Sequence, residues 1–480
     1  MPYTSLQQFI TALEKAGELK RITAEVDPYL EITRITDLVS KEYGPALLFQ
    51  NVKGSEHPLL INAFGTFERM QMALHCDSLD DIAARIEKLL KMQPPKTLGE
   101  KVKMLLTLKE VGDYMPRTVK SATCQEKVYT DGPMLDRLPI ITCWPDDGGP
   151  YITLPLVYTK DPDTGIQNCG MYRMQKFDNT STGMHWQYNK DGARHYRKHK
   201  EKGTRMPVAV ALGGPPAVTY ASTAPLPPDI DEMLFAGFLE SRSIPMVKAK
   251  TCDLMVPAEA EYIIEGYVDP GDEIIEGPFG DHTGFYSAAD TYPVFHVTCV
   301  TTRNSPVYPT TIVGKPPMED CYMAKATERL FLPMLKMVVP EIVDMNLPLE
   351  GVFHNCALVS IKKEHPGQAK KVMNALWGLG QMSSTKYIIV FDDDIDLSDN
   401  STVVWKLLNN VDPRRDLLVS EGPLDALDHS APFQNFGGKM GIDATRKTRE
   451  EGMGREWPEE IVMSEDIIEL VNKRWKEYGL

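Results

Sequence analysis

Between residues 120 and 310 the chain loses helical periodicity, and this loss constrains its fold more than any other feature. Prolines and glycines punctuate the stretch. Short apolar and β-branched runs recur at 152–159, 207–213, 218–223, 245–249, 262–268, 293–302 and 307–313. Short strands at such spacing predict a barrel or sandwich. One strong helix is expected inside the stretch, at 230–241, just after a Pro-rich turn at 225–228.

On either side, helices alternate with short strands. Ser5-Leu-Gln-Gln8 has the form of a capping box, with Phe9, Ile10 and Leu13 on one helical face and Gly17 as the stop. A second helix is predicted over 30–41 with Ile32, Ile35, Leu38 and Val39 inward, then strands at 46–50 and 58–63 and a helix near 79–91. Beyond 315 the order is helix (319–337), strand (356–361), helix (366–381), strand (386–391) and helix (401–410). The predicted class is therefore mixed α/β and β. An α/β domain covers 1–120, a β-rich domain 121–315, and a second α/β domain 316–480. The chain closes with Ser464 as a cap and Ile467, Ile468, Val471 and Trp475 on one stripe. Such a helix docks on its own domain or crosses to a neighbouring subunit, so at least a homodimer is expected.

The 480 residues carry a formal charge of −15, which excludes a surface built to neutralise nucleic-acid phosphates. Eight cysteines are scattered without a Cys-x-x-Cys pair, which predicts reduced core thiols in a cytoplasmic protein. Met-Pro-Tyr-Thr-Ser5 leads straight into an amphipathic segment rather than a signal peptide, and no apolar run approaches the ~20 residues of a membrane span.

The chemistry concentrates in Glu276-Gly-Pro-Phe-Gly-Asp281-His-Thr-Gly-Phe-Tyr286. Three glycines and a proline exclude a continuous helix or strand and leave a tight loop holding two carboxylates. Two carboxylates in one small volume cannot both ionise freely, so one is expected to act as a proton donor. An ordinary solvated surface turn is the alternative. His282 is either a second acid or a residue that fixes the loop. Asn168 and Glu232 are hard oxygen donors suited to Mn²⁺ or Mg²⁺. Arg173 lies about 16 Å from Asn168 if one extended strand joins them. The Asp392-Asp-Asp-Ile-Asp396 run reads as a strand-end loop or as a metal cluster. Gly437-Gly-Lys-Met-Gly441 lacks the context of a phosphate loop.

Asn168-Cys-Gly-Met-Tyr-Arg173, the Pro225-Leu-Pro-Pro…Asp231-Glu232 segment, the 276–286 loop and Gly438-Lys-Met-Gly-Ile-Asp-Ala-Thr445 occur in an order that resembles the UbiD family of decarboxylases. The resemblance runs nearly end to end and looks closest to the branch acting on 4-hydroxy-3-polyprenylbenzoate in ubiquinone synthesis. It implies a central split β-barrel binding prenylated flavin mononucleotide (prenylated FMN), supplied by a flavin prenyltransferase. It also implies metal ligation by Asn168 and Glu232, bridging to the flavin phosphate. Asp191 is aligned with a histidine ligand of other members, and His185 and His195 lie nearby. Met171, Tyr172, Arg173, His185, Trp186, Gln187 and Lys190 match flavin contacts, as do Asp191 through the metal and Lys386, which a solvated lysine would equally explain. Ala221 and Ser222 match a backbone site for K⁺. Arg173, Glu276 and Asp281 match an ionic triad beside the flavin, with Asp281 as proton donor where other branches carry Glu. The implied substrate is an aromatic carboxylate. A lipid-tailed one would bring peripheral contact with the inner face of the cell membrane. Another aromatic or naphthoic acid, or flavin binding without catalysis, are the rival readings.

Overall fold

The computed structural model describes residues 3–188, 190–227 and 230–480. Met1, Pro2, Asn189, Pro228 and Asp229, some of which belong to the motifs quoted above, lie outside them.

The first helix, Leu6–Ala16, forms as its pattern predicts. Ser5 accepts from the Gln8 N–H, Gly17 ends the helix at φ +81°, and Phe9, Ile10 and Leu13 are buried. The return bond of the expected box comes from the Thr4 N–H rather than that of Ser5. Each fully buried aromatic or aliphatic side chain here contributes ~1.5–3 kcal/mol. The helix Glu31–Lys41 departs from expectation. Leu38 is exposed, and the inward line runs through Ile32, Thr33, Thr36 and Ser40. Small hydroxyl side chains allow close approach there; Thr36 donates to Ile32 O and Ser40 meets Asn62 Oδ1, while the buried Thr33 hydroxyl has no hydrogen-bond partner.

The N-terminal sheet has the order Leu19–Val26, Ala46–Val52, Leu59–Ile61, Tyr308–Pro309. Its last strand thus comes from the far end of the central region. The central sheet has seven strands. Its path runs Ser181–Gly183, Asp290–Thr302, Tyr262–Glu276, Met206–Leu212, Leu156–Lys160, Gln167–Met171, and Lys127–Tyr129 pairs with Asp290–Thr302 off that path. Every pairing in it is antiparallel. The N-terminal and central sheets share one apolar core, running from Leu6 through Tyr158 and Ile264 to Leu330.

Two central expectations fail. Residues 218–223 are β-branched in composition but belong to the helix Pro216–Ala221 and its end, started by Pro216 in the first turn, where a missing N–H costs nothing. The helix Asp191–Lys202 was not foreseen, because its buried line is Ala193, His195, Tyr196 and His199 rather than an aliphatic stripe. The expected 230–241 helix is present as Glu232–Glu240.

The C-terminal sheet follows the order Ile342–Asn346, Cys356–Ile361, Tyr387–Asp392, Phe436–Asp443, Leu417–Pro423. Alternate residues feed separate cores on its two faces. Val359, Ile388 and Val390 pack with Val372 and Leu376, while Leu358, Ile389 and Phe391 pack with Leu397 and Val403. The terminal helix Glu465–Arg474 buries nothing within the chain, and Ile467, Ile468 and Trp475 are exposed. Among the described residues no helix is long and apolar enough to cross a membrane.

Candidate active site

The long strand Tyr262–Glu276 delivers Glu276 at its last position, opposite Asp290. The chain then turns at Gly277, whose φ of +100° suits glycine alone, into the short strand Phe279–Gly280, which pairs with Tyr286–Ser287. A second loop clamps this turn. Gly148 N–H donates to Pro278 O at 2.8 Å, and Gly280 N–H donates to Asp147 Oδ1 at 2.8 Å. Asp147 Oδ2 in turn accepts from the Cys143 and Trp144 N–H groups. The loop is therefore a fixed mount for its carboxylates, not a solvated surface turn, and Glu276 and Asp281 are 1% and 5% exposed.

Arg173 draws these acids together. Its Nε donates to Glu276 Oε1 at 3.2 Å, one terminal nitrogen to Asp281 Oδ2, and the other to Ser287 Oγ at 3.0 Å. The guanidinium also lies over the Phe279 ring, 4.7 Å from its centroid. His185 Nδ1 meets the same Glu276 oxygen at 3.1 Å, while Glu276 Oε2 is buried without a partner. The expected single strand between Asn168 and Arg173 is broken. It ends at Met171, and the chain crosses at Tyr172–Arg173 to a two-stranded sheet at Met174–Gln175.

The charge state of Asp281 differs from the paired-acid expectation. Burial pushes its carboxyl upward, but the His282 hydrogen bond and the Arg173 guanidinium outweigh burial and hold it well below the usual carboxylate range. Asp281 Oδ1 accepts from both the backbone N–H and the Nδ1 of His282, at 2.8 and 2.9 Å. It rests ionised between the Arg173 guanidinium and the His282 ring, so a proton for donation has to be brought to it.

A second cluster lies on the adjoining edge. Cys169 N–H donates to Glu232 Oε2 at 3.0 Å. Turned so that its nitrogen faces Glu232 Oε1, the Asn168 amide donates at 3.1 Å; the opposite orientation sets amide oxygen against carboxylate. That opposite arrangement is the one a cation between them would stabilise. Burial, with Asp231 and Asp191 nearby, pushes the Glu232 carboxyl up to about 7. A divalent ion would relieve that cost, so Asn168 and Glu232 fit one. Asp191 opens the helix Asp191–Lys202 and is paired with Arg194 at 2.8 Å. His195 is directed elsewhere, to Thr159 Oγ1 at 2.9 Å.

The remaining expected cofactor residues divide. Trp186 packs against the first turn of this helix, where a Cβ on Gly192 would lie 2.6 Å from its Nε1, and that buried N–H has no partner. Lys190 is the residue preceding the helix, and Gln187 O accepts its N–H. The tyrosine ring of Tyr172 fills the space a side chain at Gly170 would need. Met171 N–H is bound to Ser222 O, and Ala221 O accepts from Ala224. Lys386 is engaged with Asp428 at 2.9 Å and with Ser430. The 392–396 run is a strand end: Arg446 pairs with Asp392 and Asp394, and Asp396 receives Ser398. Among the described residues no group of three or more His, Cys, Asp or Glu is placed to hold a metal.

Sequence reasoning passed over Asp147, Ser287, Asp320 and His354. His282 Nε2 lies 2.8 Å from His354 Nε2, and His282 stacks on Phe353 at 4.7 Å. The Phe285 ring meets that of His429 at a tilt, with centroids 3.8 Å apart. The 276–286 loop therefore touches the C-terminal unit, a contact that no local motif announces. The one available signal for Asp147 was its place in the Gly-rich Asp146-Asp-Gly-Gly149 turn.

Comparison with known proteins identifies the family and the fold. Residues 10–89, 117–316 and 321–444 match, in turn, the N-terminal, Rift-related and C-terminal domains described for 3-octaprenyl-4-hydroxybenzoate carboxy-lyase. A protein of Aquifex aeolicus is 50% identical over 481 residues, covering 100% of this chain and 99% of its own length. One of Archaeoglobus fulgidus is 49% identical, with 99% of each covered. Among solved structures, the UbiD-class enzyme HmfF from Pelotomaculum thermopropionicum, in complex with FMN, is 29% identical with a TM-score of 0.82, over 98% of this chain and 99% of that one. Vanillic acid decarboxylase of Sedimentibacter hydroxybenzoicus in its closed form is 27% identical with a TM-score of 0.85, over 100% and 99%. The chain belongs to the UbiD family and shares the fold of its carboxy-lyases.

Proposed function

We propose that this protein catalyses the non-oxidative decarboxylation of an aromatic acid with prenylated FMN. The substrate we favour is 4-hydroxy-3-polyprenylbenzoate, giving a 2-polyprenylphenol in ubiquinone biosynthesis. One observation carries the reading: Arg173 bridges two buried carboxylates, Glu276 and Asp281, on a loop clamped from behind. A flavin carrier has no use for such a triad. Prenylated FMN, when bound, supplies the electrophile that accepts the electron density released as CO₂ departs, which side chains alone stabilise poorly.

The chain's own residues orient the substrate and move a proton. Ser287 is the neutral partner of Arg173, so a substrate carboxylate competes there most cheaply. Glu276, fixed by His185, keeps Arg173 in place. Asp281 delivers the proton to the ring carbon. Asn168 and Glu232, with Asp191 as third oxygen donor, would hold Mn²⁺ or Mg²⁺ against the flavin phosphate. Met171, Tyr172, Trp186, Gln187, Lys190 and Lys386 would line the flavin, with K⁺ on the Ala221 and Ser222 carbonyls. We also propose the division 1–120, 121–315 and 316–480, a central sheet of the split-barrel kind, and a homo-oligomeric cytoplasmic protein. It would meet a tailed substrate at the membrane surface and take its cofactor from a flavin prenyltransferase. The vanillic acid decarboxylase relative favours a second reading, a small tail-less benzoate as substrate.

Protein co-produced with a flavin prenyltransferase and purified without oxygen tests this. Mass spectrometry should find prenylated FMN, and 4-hydroxybenzoates with and without a 3-prenyl chain should release CO₂, the prenylated one faster. Unmodified flavin and no CO₂ from any aromatic acid would leave only the carrier reading.

A further inference from the structure

Asp281 rests ionised, yet each decarboxylation consumes one proton at the ring carbon. We propose that His282 is the reservoir of that proton, a positioning residue acting through Asp281 and seated by His354 of the C-terminal unit. The inference rests on the proposed decarboxylation and adds the source of its proton.

The geometry defines the hydrogens. Asp281 Oδ1 can only accept, so His282 Nδ1, 2.9 Å away, carries a proton toward it. The two Nε2 atoms of His282 and His354, 2.8 Å apart, share a single proton, since one must donate and the other accept. With that proton on His282, the ring is an imidazolium pinned at both nitrogens, and Phe353 covers one of its faces. His354 then accepts as a neutral ring. The groups facing His282 support this assignment. Asp281 comes from its own loop, Asp320 from the first turn of the helix Glu319–Val338, and Asp425 from the segment after the strand Leu417–Pro423. Arg173 lies beyond Asp281. Asp320 Oδ1 is buried without a hydrogen-bond partner. Burial works against a charged His282, but the Asp281 hydrogen bond and the surrounding carboxylates raise it above an ordinary histidine. Burial takes the His354 ring down to about 4, which leaves it neutral at pH 7.

The transfer balances without moving a heavy atom. The Nδ1–H bond of His282 breaks and an O–H bond forms on Asp281 Oδ1. His282 becomes neutral and keeps its Nε2–H on His354. Asp281 then gives its proton to the carbon that lost CO₂ and returns to carboxylate. One proton from solvent recharges His282 in each turnover.

Two measurements test the proposal, one of them independent of turnover. In ¹⁵N-histidine spectra of the full chain without flavin, His282 should be an imidazolium at pH 7.5, above the ordinary midpoint of ~6.5. Asp281→Asn should bring that midpoint to ~6.5 or below. In flavin-loaded enzyme, His282→Asn keeps a donor toward Asp281 but cannot store a proton. It should lower kcat ~10²-fold, with KM and flavin occupancy unchanged, and abolish the alkaline limb of the pH–rate profile. A neutral His282 in the parent at pH 7.5, or parental kcat and an unchanged alkaline limb in His282→Asn, would overturn it. Absence of CO₂ release from the loaded parent would instead strike the proposed function, while the spectra still decide where the proton rests.

Discussion

Arg173 lies 103 residues before Glu276 and 108 before Asp281 in sequence, yet the three form one hydrogen-bonded unit. Removing one member of a buried ion pair costs ~3–5 kcal/mol, so truncation to alanine would confound chemistry with folding. Asn168 and Glu232 permit a cleaner test, because their pairing is local to one strand and one helix start. Asn168→Ala and Glu232→Ala should each lose flavin on gel filtration while keeping the parental circular dichroism. Full flavin occupancy in both variants would remove the metal bridge from this account. At this scale the meeting of the two acids with the arginine, and of Asn168 with Glu232, was legible from residue type and from family resemblance. The charge on Asp281 was not. It depends on His282 Nδ1 and Arg173 arriving together at one carboxylate, which spacing along the chain does not encode.

Elements were legible where apolar periodicity carried them. The strand Cys356–Ile361 and the helices Leu6–Ala16 and Asn400–Asn410 fall where the pattern put them. The helix Asp191–Lys202 was hidden because it buries histidine and tyrosine. Its ends still carry a signal, with Asp191 in the first turn, His199, Lys200 and Lys202 in the last, and Gly203 at φ +63° after it. Pro216–Ala221 shows the reverse, strand-like residues overruled by a proline start. The terminal helix has the predicted stripe, but among the described residues none of it is buried, and Trp475 is 50% exposed. An exposed aromatic and aliphatic stripe of this kind fits a subunit contact. A chain ending before Ser464 should stay folded and elute at a smaller oligomer size than the parent. Elution at the parental size would assign the contact to another surface.

Over the whole molecule, the N-terminal and central sheets share a core, while the C-terminal unit has its own and meets the 276–286 loop through His354 and His429. The sequence texture separated three regions but could not show Tyr308–Pro309 completing the first sheet, because strand partners far apart in sequence leave no local trace. The arrangement puts the 276–286 loop between the central sheet and a separately packed unit. The central claim is that Asp281 protonates the ring carbon. It is tested most directly by exchange of the ring hydrogen of the phenolic product with deuterated solvent, in flavin-loaded parent and in Asp281→Asn. The account predicts steady deuterium incorporation by the parent and a loss of ~10²-fold or more in Asp281→Asn at equal flavin occupancy. Parental exchange in Asp281→Asn would contradict it and place the proton donor elsewhere.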